Sequence, residues 1–85
     1  MESRWRTDDY KCEVIDGLDC LVWIAARPSY CDRGNYLAHV DLKPGGDARR
    51  LNLDWQDGWP RYYMDIARAK AEIEEWMKKR KQWIE

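Results

Sequence analysis

Apolar positions along this chain change their period part-way. From Tyr10 to Ile15, and again from Leu18 to Ala26, β-branched and aromatic side chains crowd on either side of Asp16 and Gly17. An Asp-Gly pair between two such runs is the strongest short-range hairpin signal, because glycine supplies the positive φ of a tight turn. Two registers are open. A two-residue turn sets Ile15 opposite Leu18 and sends Cys12 and Cys20 to opposite faces; a bulged three-residue turn sets the two cysteines opposite one another. Beyond Arg27 and Pro28, the segment from Ser29 to Tyr36 has the composition of a turn. Tyr36, Ala38 and Val40 then alternate with Leu37, His39 and Asp41, which predicts a third strand. Lys43 to Asp47 reads as a loop. Leu51, Leu53 and Trp55 alternate with Asn52 and Asp54 and predict a fourth strand, and Gln56 to Gly58 turns the chain again. Trp59 to Met64 reads as a short fifth strand, which Pro60 confines to an edge or to its own first residues because it has no N–H to donate.

The period then lengthens. Ile66, Ala69, Ile73, Trp76, Met77 and Arg80 recur at three- and four-residue intervals, with Arg68, Lys70, Glu72, Glu74 and Glu75 between them. That stripe predicts a C-terminal helix, and Asp65 is a good N-cap for it. The consecutive cations Lys78 to Lys81 oppose the negative end of its dipole, a nucleic-acid contact being the alternative use. The expected fold class is α+β: a small antiparallel sheet of three to five strands with one C-terminal helix packed on one face, ββββα in order. Residues 1–9 are polar and are expected to form a flexible N-terminus, leaving 10–85 as a single domain.

Composition changes the picture in one respect. Six Trp and five Tyr stand in 85 residues without a single Phe. Every large ring therefore carries a polar handle, the composition of a boundary that touches a partner more than of a sealed interior. A chain this short buries roughly 60 to 65% of its unfolded surface, so its core is small and most rings must still pack in part.

Charge excludes some classes. Fifteen basic and sixteen acidic side chains nearly cancel, which argues against a general polyanion binder. Residues 1–60 hold 8 Lys and Arg against 11 Asp and Glu, while residues 61–85 hold 7 against 5. No apolar run reaches the ~18 to 20 residues of a membrane span, and the N-terminus does not resemble a signal peptide. An odd set of cysteines, Cys12, Cys20 and Cys31, then predicts free thiols in a reducing cytoplasm.

Candidate chemistry is sparse. Cys12, Cys20, Cys31 and His39 are the right ligand types for zinc, but they lack the close pair that preorganises a structural site, so no metal and no cofactor are expected. A Cys31–His39 nucleophile pair with Asp32, Asp41 or Asp54 has no supporting motif, and a domain of this size frames a deep pocket with difficulty, so no catalytic residues are expected. The segment from Trp55 to Tyr63 stands out instead. It gathers four rings, an Arg and a turn into nine residues, and strand alternation sends about half of those rings away from the core. Exposed Trp, Tyr and Arg are hot-spot composition, while the plainer use of the same rings is to cover the helix and sheet edge. The residues expected at a protein-binding surface are Trp55, Asp57, Trp59, Arg61 and Tyr62, with Tyr30, Asp32 and Arg33 as a second edge.

The runs CDRGNY, LDWQDGWPRYYMD and AKAEIEEW, within residues 10 to 83, resemble short accessory proteins of bacteriophages and prophages, where a Cys-Asp-Arg-Gly turn precedes a strand and an aromatic-Pro-Arg-Tyr-Tyr run leads into a terminal helix. Such small proteins include anti-CRISPR and other anti-defence inhibitors. The resemblance implies a stoichiometric, non-catalytic inhibitor in the bacterial host cytoplasm, bound to a host protein or defence complex such as a nuclease or surveillance complex. Direct nucleic-acid binding is the competing expectation, with exposed rings stacking on bases and Arg27, Arg33, Arg49, Arg50 and Arg61 tracking phosphates.

Overall fold

A computed structural model of the chain describes residues 4–26, 34–51 and 58–83. Among these, five strands form one antiparallel sheet: β1 (Trp5–Thr7), β2 (Glu13–Asp16), β3 (Cys20–Ala26), β4 (Tyr36–Leu42) and β5 (Arg61–Tyr63). Their spatial order is their chain order, so every pairing joins sequence neighbours. A short helix α1 (Ala48–Leu51) precedes β5, and the terminal helix α2 (Ile66–Lys79) follows it. The α+β class and the C-terminal helix match the expectation from periodicity.

Asp65 caps α2 as its sequence position predicts: it is extended, and its carboxylate accepts from the Ala67 N–H. Lys78 and Lys79 occupy the last helical turn, where cations oppose the dipole. The buried stripe is Ala69, Ile73, Trp76 and Met77. It packs on the sheet face built from Ile15, Cys20, Val22, Ile24, Ala38, Val40 and Tyr63, with Leu51 of α1 in the same core. Burying Ile73 there contributes about 2 to 3 kcal/mol from apolar area removed from water. Lys70 fixes the helix over the first two strands: its ammonium pairs with Glu13 and lies 5.4 Å from the Trp5 ring.

Three expectations are corrected. The Asp-Gly hairpin forms, but in neither expected register: Ile15 faces Val22 and Asp16 faces Leu21, which leaves residues 17–19 between the strands, closed by the Gly17 N–H donating to the Cys20 carbonyl. The physical reason lies at the far end of the chain. The Leu18 N–H donates to the Gln82 carbonyl and the Asp19 N–H to the Gln82 side chain, so tertiary acceptors draw the reversal to Leu18 and Asp19, past the local Asp-Gly preference. The Cys12 and Cys20 thiols are accordingly both free. Secondly, the N-terminal segment is not wholly outside the fold, since Trp5–Thr7 pairs with Ile15, Val14 and Glu13 as an edge strand; Trp5 is the anchor, and Tyr10 stays 87% exposed. Thirdly, Leu51 closes a helical turn and is fully buried, where alternation predicted the start of a fourth strand. The rest of that expected strand, and the expected turn over residues 29–33, lie outside the described residues.

Candidate functional site

Strand register divides the sheet residues into two sets. The first, described above, lies under α2. The second faces away and falls into three rows. Asp16, Leu21 and Asp41 form one; Arg6, Val14, Trp23 and His39 the next; Ala25, Leu37 and Tyr62 the last. Val14 is buried between Arg6 and Trp23 in register, while Leu21, Trp23, Ala25, Leu37, His39 and Tyr62 are half-buried. Both described helices contribute their buried side chains to the first face, and none of the described elements packs on the second. A sheet face with an apolar and aromatic centre ordinarily carries a layer over it, and the described elements supply none here.

The centre is ordered by its own polar groups. The Trp23 Nε1–H donates to Asp41 Oδ2 at 2.7 Å, a diagonal cross-strand bond. The His39 ring lies against Trp23, with centroids 5.6 Å apart and planes tilted by 47°. His39 Nδ1 accepts from the Val40 N–H at 2.8 Å, which places the proton of the neutral ring on Nε2. Charge is distributed unevenly along the acidic row. Asp16 is held by Arg6 at 3.2 Å and Lys43 at 3.4 Å; burial raises its pKa, and these two cations outweigh burial, leaving it below the ordinary carboxylate value. Asp41 has no cation within salt-bridge distance among the described residues.

Of the residues expected at a binding surface, Trp59, Arg61 and Tyr62 are described, and alternation separates them. Trp59 packs edge-on against Trp76 of α2, centroids 5.5 Å apart at 79°, and the Arg61 guanidinium lies 4.2 Å over the Trp59 ring. Arg61 is in register with Ala38 on the helix side, whereas Tyr62 is in register with Leu37 on the other. Trp59 thus spends its ring on the core margin, and its buried Nε1 has no hydrogen-bond partner among the described residues. Trp55, Asp57, Tyr30, Asp32 and Arg33 lie outside the described residues. The residues that sequence reasoning missed are Leu21, Trp23, Leu37, His39 and Asp41. For Leu21 and Trp23 the signal was present in Cys20–Ala26, where both alternating sets are apolar, the pattern of a strand contacted on two faces; Leu37, His39 and Asp41 follow only from the register of β4 on that strand.

A groove of about 460 Å³ runs beside the β5–α2 junction, lined by Tyr62, Tyr63, Met64, Asp65, Arg68 and Glu72. Burial raises the Tyr63 phenol pKa, with Arg61 and Glu72 as its charged neighbours. Gly34 abuts the other side of Tyr63: its φ is +146°, and a Cβ there would stand 2.7 Å from the Tyr63 carbonyl oxygen. Burial pushes the Cys20 thiol up to about 12, the wrong direction for a nucleophile. Cys20 and His39 point to opposite faces of the sheet, and no group of three metal-ligating side chains occurs among the described residues. No described helix is long and apolar enough to cross a membrane. Comparison with protein-family models, with curated proteins and with solved structures finds no match, so the site stands on its geometry alone.

Proposed function

We propose that this chain is a non-catalytic protein-binding domain that engages its partner through the sheet face opposite α2. The observation that carries the reading is the half-buried cluster of Leu21, Trp23, Leu37 and His39 on a face over which no described element packs. A binding interface needs an apolar, aromatic centre and a polar rim, and Asp41, Asp16 and Arg6 supply the rim here. The resemblance of the sequence to short phage accessory proteins supports the finer proposal, an inhibitor in the bacterial cytoplasm that occludes a host protein or a defence complex such as a nuclease or surveillance complex.

Nucleic acid fits this surface less well. Of the arginines expected to track phosphates, Arg27 and Arg33 lie outside the described residues, Arg49 and Arg50 pair with Asp47 and Asp19, and Arg61 lies on Trp59; among the described residues this face carries two carboxylates beside one exposed arginine. Capture from a bacterial lysate on the immobilised chain, with mass spectrometry, is the test, run beside Leu37→Glu and a control on the outer side of α2, Glu75→Lys. Leu37→Glu is expected to abolish capture with Tm unchanged, and the control to capture normally. Capture that survives Leu37→Glu, or binding to a labelled oligonucleotide that falls steeply with added salt, overturns the reading.

A further inference from the structure

Resting on that reading, we infer that Trp23 and Asp41 form a receptor for a guanidinium group, so that an arginine of a partner protein seats at this end of the sheet face. Three observations converge. Asp41 is exposed, has no cation at salt-bridge distance among the described residues, and is fixed in place by the indole N–H of Trp23 at 2.7 Å. The equivalent carboxylate across Leu21, Asp16, has its charge already offset by Arg6 and Lys43, so the row is asymmetric and its uncompensated charge sits at Asp41. The Trp23 ring is half-exposed beside that charge, with His39 tilted against it as a side wall.

A planar cation suits this arrangement better than a compact one. The bond from Trp23 uses one carboxylate oxygen of Asp41, and the other oxygen remains to accept an N–H from outside. A guanidinium spreads its donors in a plane, so it can donate to that oxygen while stacking on the indole face; an ammonium makes a point contact with one or the other. Leu21, in register with Asp41, flanks the carboxylate, and Leu37 stands one row beyond Trp23 and His39, so apolar surface on either side of the ring can cover the arginine's methylene stem. The occupant proposed is thus an Arg side chain flanked by apolar residues on a folded partner.

The test uses the whole chain labelled with ¹⁵N and N-acetyl-argininamide as probe, followed at the Trp23 indole N–H, which Trp23→Phe assigns. Saturable shifts are expected, with a dissociation constant on the order of 1 to 10 mM. N-acetyl-lysinamide and N-acetyl-citrullinamide should shift the resonance less, and Asp41→Asn should weaken the arginine probe about two- to fivefold. Asp41→Asn alters one exposed side chain, so its Tm reports directly on whether the fold is kept. Equal responses to the three probes, or no response, overturn the inference. Loss of partner capture in Leu37→Glu together with full capture by Asp41→Asn also overturns it, and leaves the binding face itself standing. A concentration-dependent dimer that Asp41→Asn dissolves would reassign the contact to a second copy and overturn it as well.

Discussion

The side chain of Gln82 grips Asp19 from two directions: its Oε1 accepts the Asp19 N–H at 2.7 Å and its Nε2 donates to Asp19 Oδ2 at 2.9 Å. Both residues are buried, and Gln82 is fully so. Around them the network is nearly complete. Nε2 also donates to the Arg80 carbonyl, Asp19 Oδ1 accepts from the Asp47 N–H, and the Arg50 guanidinium stands 3.3 Å from Oδ2. Gly17 completes the packing, since a Cβ there would meet Gln82 Oε1 at 2.9 Å and Met77 Cε at 3.0 Å.

Gln82→Ala removes an acceptor from a buried backbone N–H and a donor from a buried carboxylate. Groups left unsatisfied in this way cost about 1 to 3 kcal/mol, so Tm should fall on the order of 5 to 15 °C. Thermal unfolding followed by circular dichroism measures it. Gln82→Glu should be worse than Gln82→Ala near neutral pH, because it sets a second carboxylate against Asp19.

Acid should loosen the same junction. The Gln82 amide foremost, then the Asp47 N–H and the Arg50 charge, hold the Asp19 carboxyl below its usual 3.8. A carboxyl with a depressed folded-state pKa contributes stability that is complete above its unfolded value and is lost as pH falls through the folded one. Asp16, lowered by Arg6 and Lys43 against its burial, acts with the same sign. Tm should therefore be flat from pH 7 to about 5 and decline below about 4. Asp19→Asn should be less stable at pH 7 yet show a shallower decline in a pH series of melting curves.

Trp59 separates core from surface. Its edge contact with Trp76 and its place under Arg61 predict that Trp59→Ala lowers stability by roughly 2 to 4 kcal/mol, somewhat less than a fully enclosed tryptophan. Arg61→Ala should cost about 1 kcal/mol or less by loss of its cation–π contact. Urea unfolding monitored by tryptophan fluorescence distinguishes the two. A Trp59→Ala chain as stable as the parent would show that this ring is not part of the core.

Cysteine chemistry reports on the same interior. With its pKa near 12, the Cys20 thiol is ionised in only about one molecule in ten thousand at pH 8. Iodoacetamide at that pH should label half-buried Cys12 well before buried Cys20, in the order of their access to solvent. Unfolding in urea should bring the two rates together. Mass mapping of the labelled peptides over time follows both sites.

Periodicity carried most of the architecture. The stripe from Ile66 to Arg80, the cap at Asp65 and the alternation through Tyr36 to Asp41 are local patterns, and each element formed where its pattern stood. What could not be read locally was set by distant groups. Gln82 fixed the hairpin connection from the other end of the chain, and Leu51 traded an alternating pattern for a helical turn in the core. At the candidate site, the cluster Trp59, Arg61 and Tyr62 looked continuous along the chain but divides across the sheet. Trp23 was legible as a strand residue; its outward direction depended on a register that the Asp-Gly signal alone did not determine.

The meander order of the strands has a kinetic consequence. Each rung of the sheet closes a short stretch of chain, so hairpins can zip in sequence at little entropic cost, whereas the Gln82–Asp19 contact spans sixty-three positions. By that entropy the clasp is expected to engage last in folding and to fray first. Amide exchange at Leu18 and Asp19 therefore times the release of the tail, while the protons along the β3–β4 ladder time the collapse of the whole.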